Sequence, residues 1–215
     1  MTAEPSPAVS TAASTVPGID VSHYQGEISW AEVARSGIVF TYIKATQGVT
    51  GVDSQFQINW NGAQEAGLLR GAYHFYQPDD DPVQQADHFL STVPLGQGDL
   101  PPALDVEIST GQSAAKIIQG IQTWLTRVQQ ATGRIPVLYT DPSFWATLST
   151  SQFGAYPLWI AEYGSLSAPK LPTGWTAWTF WQHSETGTVP GISGTVDLDL
   201  FQGTVDQLRR FASGC

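Results

Sequence analysis

Short runs rich in β-branched and aromatic residues recur along the chain from position 18 to position 201. Runs of this kind, bounded by Gly, Pro, Asn or Asp, are typical of buried β-strands. They are GIDVSH (18–23), IVFTYIKA (38–45), LLRGAYHFY (68–76), PALDVE (102–107), IPVLYT (135–140), PLWIAEY (157–163), TFWQHS (179–184) and VDLDLF (196–201). The pattern therefore predicts eight strands.

Segments with helical spacing of apolar residues separate the early runs. Three of them begin at Ser29, Ser54 and Asp81, and Ser29 with Glu32 has the spacing of a capping box. The longest segment covers 112–132 and is followed by a glycine, a common helix stop. We therefore expect a helix after most of the early strands.

Strands that alternate with helices predict a parallel sheet, and eight of them predict that the sheet closes on itself. The segments after Ile160 are poor in helical pattern and rich in Gly, Pro and Thr. We expect an α/β fold, an irregular (β/α) barrel of about eight strands with helices missing in the C-terminal part. Residues 1–16 are small and polar, which predicts a disordered linker or the remnant left after removal of a signal peptide, and residues 17–215 are expected to form one barrel domain.

Acidic residues gather at the ends of the predicted strands, where barrel enzymes carry their active sites. Asp105 and Glu107 are two positions apart, so a strand would place both on one face with their Cβ atoms about 6–7 Å apart. Asp20 falls near the end of the first run, and Asp197 and Asp199 lie in the last run, which neighbours the first in a closed barrel. Carboxyl groups this close tend to differ in protonation, and acid catalysis uses that difference.

Composition narrows the class of substrate. Aromatic residues make up 11% of the chain, and the net charge of −10 comes with no basic run, which argues against nucleic acid or an anionic membrane as a partner. An acidic cleft walled by aromatic rings suits a glycan, because sugar C–H faces stack on rings and hydroxyl groups need many hydrogen bonds. The candidate sugar-binding side chains at strand ends are Lys44, Tyr73, Tyr139, Trp159, Tyr163, Gln182 and Asp199.

Neither a metal nor a cofactor is expected. The one cysteine, Cys215, is the last residue, and the four histidines have no metal-ligand spacing. His74 is interpreted as a hydrogen-bonded residue of the barrel rather than as a base. No stretch approaches the length of a membrane span.

Eight motifs together resemble those of the glycoside hydrolase family 25 lysozymes, the Chalaropsis-type N-acetylmuramidases. They are GIDVSHYQGEISW, YIKATQG, GAYHFY, PALDVE, LYT, WIAEYG, FWQHS and GISGTVDLDLF, and they span roughly 18 to 201 in family order. The resemblance implies hydrolysis of the β-1,4 bond between N-acetylmuramic acid and N-acetylglucosamine in bacterial peptidoglycan, by a secreted, monomeric enzyme without metal or cofactor.

The resemblance carries the family's functional residues to Asp20, Asp105, Glu107 and Asp197. Glu107 is the expected general acid, because a glycosidic oxygen is a poor leaving group until it is protonated. Asp105 either attacks C1 directly or stabilises the substrate's own acetamido group as that group attacks, and the resemblance favours the second course. Asp20 and Asp197 are expected to bind sugar hydroxyls or to raise the pKa of Glu107.

Three positions depart from the family pattern. The family often has Glu at Gln47, Tyr at His183 and Asn at Asp199, and none of these changes removes a candidate catalytic acid. Two other classes of function stay open at this point. A non-catalytic peptidoglycan- or chitin-binding barrel would have lost the acid pair, and a chitinase of another barrel family would carry a longer acidic motif than LPPALDVE supplies.

Overall fold

The computed structural model describes residues 14–164 and 167–214, so most of the predicted leading segment lies outside the described residues. The eight predicted runs all form strands, and one further short strand, β3, follows β2. The strands are β1 (Thr15–Val21), β2 (Phe40–Gln47), β3 (Gly51–Val52), β4 (Leu69–Phe75), β5 (Ala103–Asp105), β6 (Val137–Thr140), β7 (Leu158–Ala161), β8 (Phe180–Gly187) and β9 (Val196–Gln202).

Strand β1 begins at Thr15, which corrects the expected boundary after residue 16. Thr15 and Val16 pair with Gln202 and Phe201 of β9, and Val16 is buried. The sheet therefore includes the end of the segment that was expected to be disordered.

The sheet closes into a barrel of eight strands, in the order β1-β9-β8-β7-β6-β5-β4-β2 with β1 paired to β2, and β3 pairs only with β2. The predicted α/β barrel is thus confirmed. Seven barrel strands pair in parallel, in the order β1, β2, β4, β5, β6, β7 and β8. Strand β9 closes the barrel and runs antiparallel to both β8 and β1. Antiparallel pairing needs only a short connection, whereas parallel strands need a crossover. The link from β8 to β9 can therefore dispense with a helix.

In the described ranges, five α-helices lie between β1 and β7, and a sixth follows β9. They are α1 (Trp30–Arg35), α2 (Phe56–Glu65), α3 (Pro82–Thr92), α4 (Ala114–Thr132), α5 (Pro142–Leu148) and α6 (Val205–Ser213). Among the described residues no helix lies between β7 and β8 or between β8 and β9, as predicted. No helix in the described ranges is long and apolar enough to cross a membrane.

Local signals set most helix ends, and one prediction about them was wrong. Asp81 accepts from the backbone N–H groups of Val83 and Gln84 at 2.9 Å and caps α3. Ser29 makes no side-chain cap on α1, so the expected capping box does not form there. Its backbone N–H donates instead to Gly191 O at 2.8 Å, which ties α1 to the loop before β9.

The barrel has an inner and an outer apolar layer, because successive strand residues point to opposite faces. The inner layer includes Phe40, Ala103 and Phe180, and α6 closes its lower end through Leu208, which is fully buried. The outer layer packs alternate strand residues such as Ile43 against the helices. With the lower end closed, the inner face is open only at the carboxyl ends of the parallel strands.

Candidate active site

A cleft at the carboxyl ends of the strands collects nearly all of the predicted site residues. Five acids lie in its wall, together with a lysine, several aromatic rings and two amides. The lining side chains include Asp20, Tyr24, Gln25, Lys44, Tyr73, Phe75, Asp105, Glu107, Tyr139, Trp159, Tyr163, Gln182, Glu185 and Asp197. The cleft is therefore acidic and aromatic, as the sequence predicts.

Asp105 and Glu107 stand on the same wall, as their spacing predicts. Asp105 is the last residue of β5, and Glu107 lies just beyond the strand, with the buried Val106 between them facing the outer layer. Asp105 is only 6% exposed and its Oδ1 has no hydrogen-bond partner in the described part of the chain. A residue that lines the cleft therefore carries a buried acceptor without a donor.

The two carboxyls influence each other's protonation. Burial, and then the charge of Glu107, raises the pKa of Asp105 well above its ordinary value. Burial, and then the charge of Asp141, raises the pKa of Glu107. Groups that interact this closely titrate as a pair. The pair can hold one proton at a pH where a solvated carboxyl would be ionised.

Lys44 supplies the positive charge of the cleft. Its Nζ donates to Gln47 Oε1 at 2.9 Å and lies 4.6 Å from the centre of the Phe75 ring. Within the described ranges it forms no ion pair within 4 Å. Its charge nevertheless lowers the pKa of both Asp105 and Glu107, against the effect of burial. Lys44 thus favours ionisation across the pair without neutralising one partner.

A hydrogen-bonded amide organises the opposite wall. Gln182 Oε1 accepts from the hydroxyls of Tyr139 at 3.0 Å and Tyr163 at 2.6 Å, and Gln182 Nε2 donates to Asp20 Oδ2 at 2.6 Å. Two donors on the oxygen fix the orientation of the amide, so its N–H must face Asp20. The network holds Asp20 in place.

Asp20 and Asp197 are register partners on β1 and β9 and both face the cleft. Burial, and then the charges of Asp199 and Asp197, raises the pKa of Asp20 well above its ordinary value. Burial, and then the charge of Glu185, raises the pKa of Asp197 to about 6. The acids of this wall therefore also stay protonated to a higher pH than solvated carboxyl groups do.

Asp199 requires a correction, because the sequence placed it among the sugar-binding residues. It is 1% exposed and does not line the cleft. Trp159 Nε1 donates to its Oδ1 at 2.8 Å. Asp199 therefore lies behind the cleft wall and cannot touch a sugar in this structure.

The aromatic residues divide into a floor and a rim. Trp159 is 2% exposed and stacks on Tyr42 with ring centroids 4.8 Å apart, while Tyr139 meets it edge-on at 4.8 Å. Tyr163 is 41% exposed and Tyr24 is 81% exposed. The rim rings have free faces for a sugar, whereas the floor rings offer mainly edges and polar tips.

Several lining residues were not predicted as site residues, among them Tyr24, Gln25, Phe75 and Glu185. Tyr24 and Gln25 belong to a short 3-10 helix at His23–Gln25, directly after β1. Their position one turn beyond a strand end was a signal that could have placed them. Glu185 lies past the irregular pairing of β8 with β9, which the sequence does not reveal.

His74 and His183 do not line the cleft with the candidate acids. His74 is fully buried between β4 and the helices, where it stacks on Trp124 with ring centroids 5.7 Å apart. His183 does not line the cleft, and burial lowers its pKa. Across 14–164 and 167–214, no group of three or more His, Cys, Asp or Glu could hold a metal ion. A reaction without a metal stays a prediction.

Comparison with known proteins identifies the family. The family model for glycosyl hydrolases family 25 matches residues 19–192. Lysozyme M1 of Streptomyces globisporus is 40% identical over 93% of this chain and 72% of its own length. The N,O-diacetylmuramidase of Chalaropsis sp. is 32% identical over 93% of this chain and all of its own length.

A solved structure agrees with both. The crystal structure of the lysozyme from Streptomyces coelicolor superposes with a TM-score of 0.89 at 40% identity, covering 94% of this chain and 98% of that one. The resemblance seen in the sequence is thereby confirmed, and the non-catalytic alternative loses its support. The chain belongs to glycosyl hydrolase family 25 and is a glycoside hydrolase of the lysozyme type.

Proposed function

We propose that this lysozyme is a 1,4-β-N-acetylmuramidase that cuts the β-1,4 bond between N-acetylmuramic acid and N-acetylglucosamine in bacterial peptidoglycan, with retention of configuration. One observation carries the proposal. Asp105 and Glu107 line one cleft from the end of β5, and Asp105 presents a buried oxygen without a partner. An acid and a free acceptor on the same wall suit a sugar that carries both a glycosidic oxygen and an acetamido N–H.

Glu107 acts as the general acid. It is half-buried, and burial raises its pKa, so it keeps a transferable proton at higher pH than a solvated glutamate. The leaving oxygen takes that proton as the bond to C1 breaks. Glu107 is then ionised and can accept a proton from the water that completes hydrolysis.

Asp105 acts on the substrate's acetamido group. As a carboxylate that lines the cleft, Asp105 accepts from the acetamido N–H and stabilises the positive charge that develops when the acetamido oxygen attacks C1. A donor at Asp105 favours the ionised form of that residue. Substrate binding therefore shifts the shared proton of the pair toward Glu107, where it is needed.

The wall opposite Glu107 carries Asp20 and Asp197, which bind the sugar in the proposed scheme, and Asp197 is a nucleophile in the alternative scheme. β9 lies four strands from β5 around the eight-stranded barrel, so Asp197 stands across the mouth from Glu107. In the proposed scheme Asp20 and Asp197 accept hydrogen bonds from sugar hydroxyls. In the alternative scheme Asp197, or Asp105 itself, attacks C1 directly and forms a covalent glycosyl-enzyme.

The remaining cleft residues are assigned to binding. Tyr163 and Tyr24 offer exposed ring faces, and Lys44 and Gln182 offer polar contacts to sugar oxygens. Tyr73, Tyr139 and Trp159 shape the floor beneath the reacting sugar. The peptidoglycan substrate also leads us to propose that the chain acts outside the cell, as a monomer whose barrel from Thr15 onward is the catalytic domain.

The bond specificity is tested on purified bacterial walls, with chitin in parallel. We expect clearing of the walls, little release from chitin, and fragments with muramic acid at the new reducing end. Mass spectrometry of borohydride-reduced fragments reads that end directly. Reduced N-acetylglucosamine at the new ends would show a glucosaminidase, and release from chitin alone would show a chitinase.

The mechanism is tested by weighing the intact protein during turnover of a slow substrate. The substrate-assisted course forms no bond between sugar and protein, and a thiazoline analogue of the cyclised acetamido group should inhibit strongly because it resembles the intermediate. A glycosyl adduct mapped to Asp105 or Asp197 would instead establish a direct nucleophile.

A further inference from the structure

Asp199 is a buried carboxyl that the proposed reaction does not use. It lies on β9 opposite Gly18 of β1 and Gln182 of β8, and it is 1% exposed. Asp20 pairs with Asp197 and Gly18 pairs with Asp199, so Asp20 and Asp199 are diagonal neighbours on the same face of the β1 and β9 pair. Asp199 therefore sits directly behind an acid of the cleft wall.

The hydrogen bonds of Asp199 are incomplete for a carboxylate. Trp159 Nε1 donates to Oδ1 at 2.8 Å, but the buried Oδ2 has no donor among the described residues. The nearby amide of Gln182 donates to Asp20 instead. A carboxylate at this position would have one donor and would face another carboxylate, a costly arrangement in a dry interior.

The surroundings hold no compensating cation. The charged and polar groups that interact with the Asp199 and Asp20 pair include Asp197 on β9, Trp159 on β7, Gln182 on β8, Tyr42 on β2, Tyr73 on β4, Tyr139 on β6 and Tyr163 just after β7. Neither Asp20 nor Asp199 forms a salt bridge with Lys, Arg or His in the described ranges. Two such acids without a cation share one proton.

We propose that Asp199 keeps this proton and donates it to Asp20, so that Asp199 is a neutral positioning residue and Asp20 faces the cleft as a carboxylate. A protonated Asp199 satisfies every atom: Oδ1 accepts from Trp159, and the hydroxyl on Oδ2 donates to Asp20. Asp20 then accepts from both Asp199 and Gln182, whose amide orientation is fixed by its two tyrosine partners.

The electrostatics agree with a shared proton. Burial is the largest cause that raises the pKa of both Asp199 and Asp20, and the charge of Asp197 raises both further. The N–H of Gln182 lowers the pKa of Asp20, whereas the hydrogen bond between the two carboxyls raises the pKa of Asp20 and lowers that of Asp199. The placement of the proton on Asp199 therefore rests on the donors around each carboxyl, since Gln182 donates to Asp20 and the buried Oδ2 of Asp199 has no donor among the described residues. The positioning role rests on the proposed part of Asp20 in sugar binding, whereas the location of the proton does not.

Two substitutions separate a neutral donor from an anion. Asn in D199N offers an acceptor to Trp159 and an N–H to Asp20, whereas Leu in D199L has a similar volume and offers neither. We expect D199L to lower kcat/KM for wall hydrolysis about 10- to 100-fold, the usual effect of losing a donor to a charged group, and D199N to restore most of that loss. If D199N is as inactive as D199L while folded, Asp199 acts as an anion and the proposal is overturned.

Two further readouts do not depend on activity. With 13C-labelled aspartate, the infrared difference between wild type and D199N at pH 7 should contain a carboxylic-acid C=O band. The pKa of Asp199, raised to about 8, also means that its own contribution to stability falls as the pH rises from about 4 to about 8, so the difference in the free energy of unfolding between wild type and D199N should change in that direction over this range. Absence of the acid band, or equal pH slopes, would overturn the assignment of the proton.

These readouts distinguish two kinds of failure. Full wall clearing by D199L would refute the positioning role even with the acid band present. Failure of the wild type to cut walls would refute the proposed function, while the infrared and thermal comparisons would still decide where the proton resides.

Discussion

At the scale of single residues, Glu107 is the side chain whose chemistry is most easily isolated. Glu107→Gln keeps the shape and removes the transferable proton, so kcat should fall by roughly two to four powers of ten with little change in thermal midpoint. Glu65→Gln is a matched control, because Glu65 is exposed at the end of α2. Retention of more than about half of the activity by E107Q would move the acid role to another residue.

Lys44 offers a test of the electrostatics around the acid pair. Its charge lowers the pKa of Asp105 and Glu107, so Lys44→Met should raise both values and move both limbs of the pH profile of kcat toward higher pH. Lys116→Met, an exposed change on α4, should leave the limbs in place. A shift of either limb toward lower pH in K44M would contradict this account.

At the scale of elements, the contact between β4 and helices α3 and α4 depends on a neutral histidine. His74 Nδ1 lies 2.7 Å from Thr46 Oγ1, and His74 Nε2 lies 3.0 Å from Gln85 Oε1. Burial lowers the pKa of His74 from 6.5 to about 4. The unfolded chain therefore takes up a proton at higher pH than the folded chain does.

This difference predicts acid destabilisation. The stability that depends on neutral His74 is complete above pH 6.5 and is lost as the pH falls toward 4, by roughly 3 kcal/mol in total. Urea unfolding from pH 7 to pH 4 should give a shallower slope for His74→Asn than for wild type. Gln84→Asn, an exposed change on α3, serves as the control, and equal slopes in H74N and wild type would refute the prediction.

Helix α6 predicts a separation of stability from activity. Leu208 is fully buried in the lower end of the barrel, at the opposite end from the cleft. Leu208→Ala should lower the free energy of unfolding by about 2–5 kcal/mol and leave kcat of the folded protein nearly unchanged. Arg209→Ala on the exposed face of α6 should do neither, and a loss of kcat in L208A at low temperature would contradict the separation.

The elements also show what the sequence could and could not reveal. Asp81 predicted the start of α3 because a side-chain cap needs only local partners. The capping box expected at Ser29 does not form, and the Ser29 backbone N–H, which Glu32 would bind in such a box, donates instead to the distant carbonyl of Gly191. Helix α6 was missed, although Thr204 and Gln207 form a capping box at its start. The burial of Asp199 could not be predicted from the sequence, because it depends on the position of Trp159, which lies on another strand and donates to Asp199.

At the scale of the whole molecule, the many acids of the cleft determine the pH at which activity is highest. Activity requires Glu107 to be protonated while Asp105 is ionised, and burial raises the pKa of both. We expect a bell-shaped profile with its optimum on the acid side of neutrality, measured by wall clearing at constant ionic strength. An optimum above about pH 8 would contradict it.

The closure of the barrel has a consequence for the order in which the enzyme becomes active. Asp20 comes from the first strand and Asp197 from the last, and the two meet only when β9 pairs with β1. A chain that is still emerging from the ribosome lacks one wall of its cleft until β9 has been made. The same pairing spans almost the full length of the chain, so it belongs to the class of contacts that form slowly. Wall-cutting activity should therefore arise as one late step, and fragments that end before β9 should be inactive however well their early strands and helices assemble.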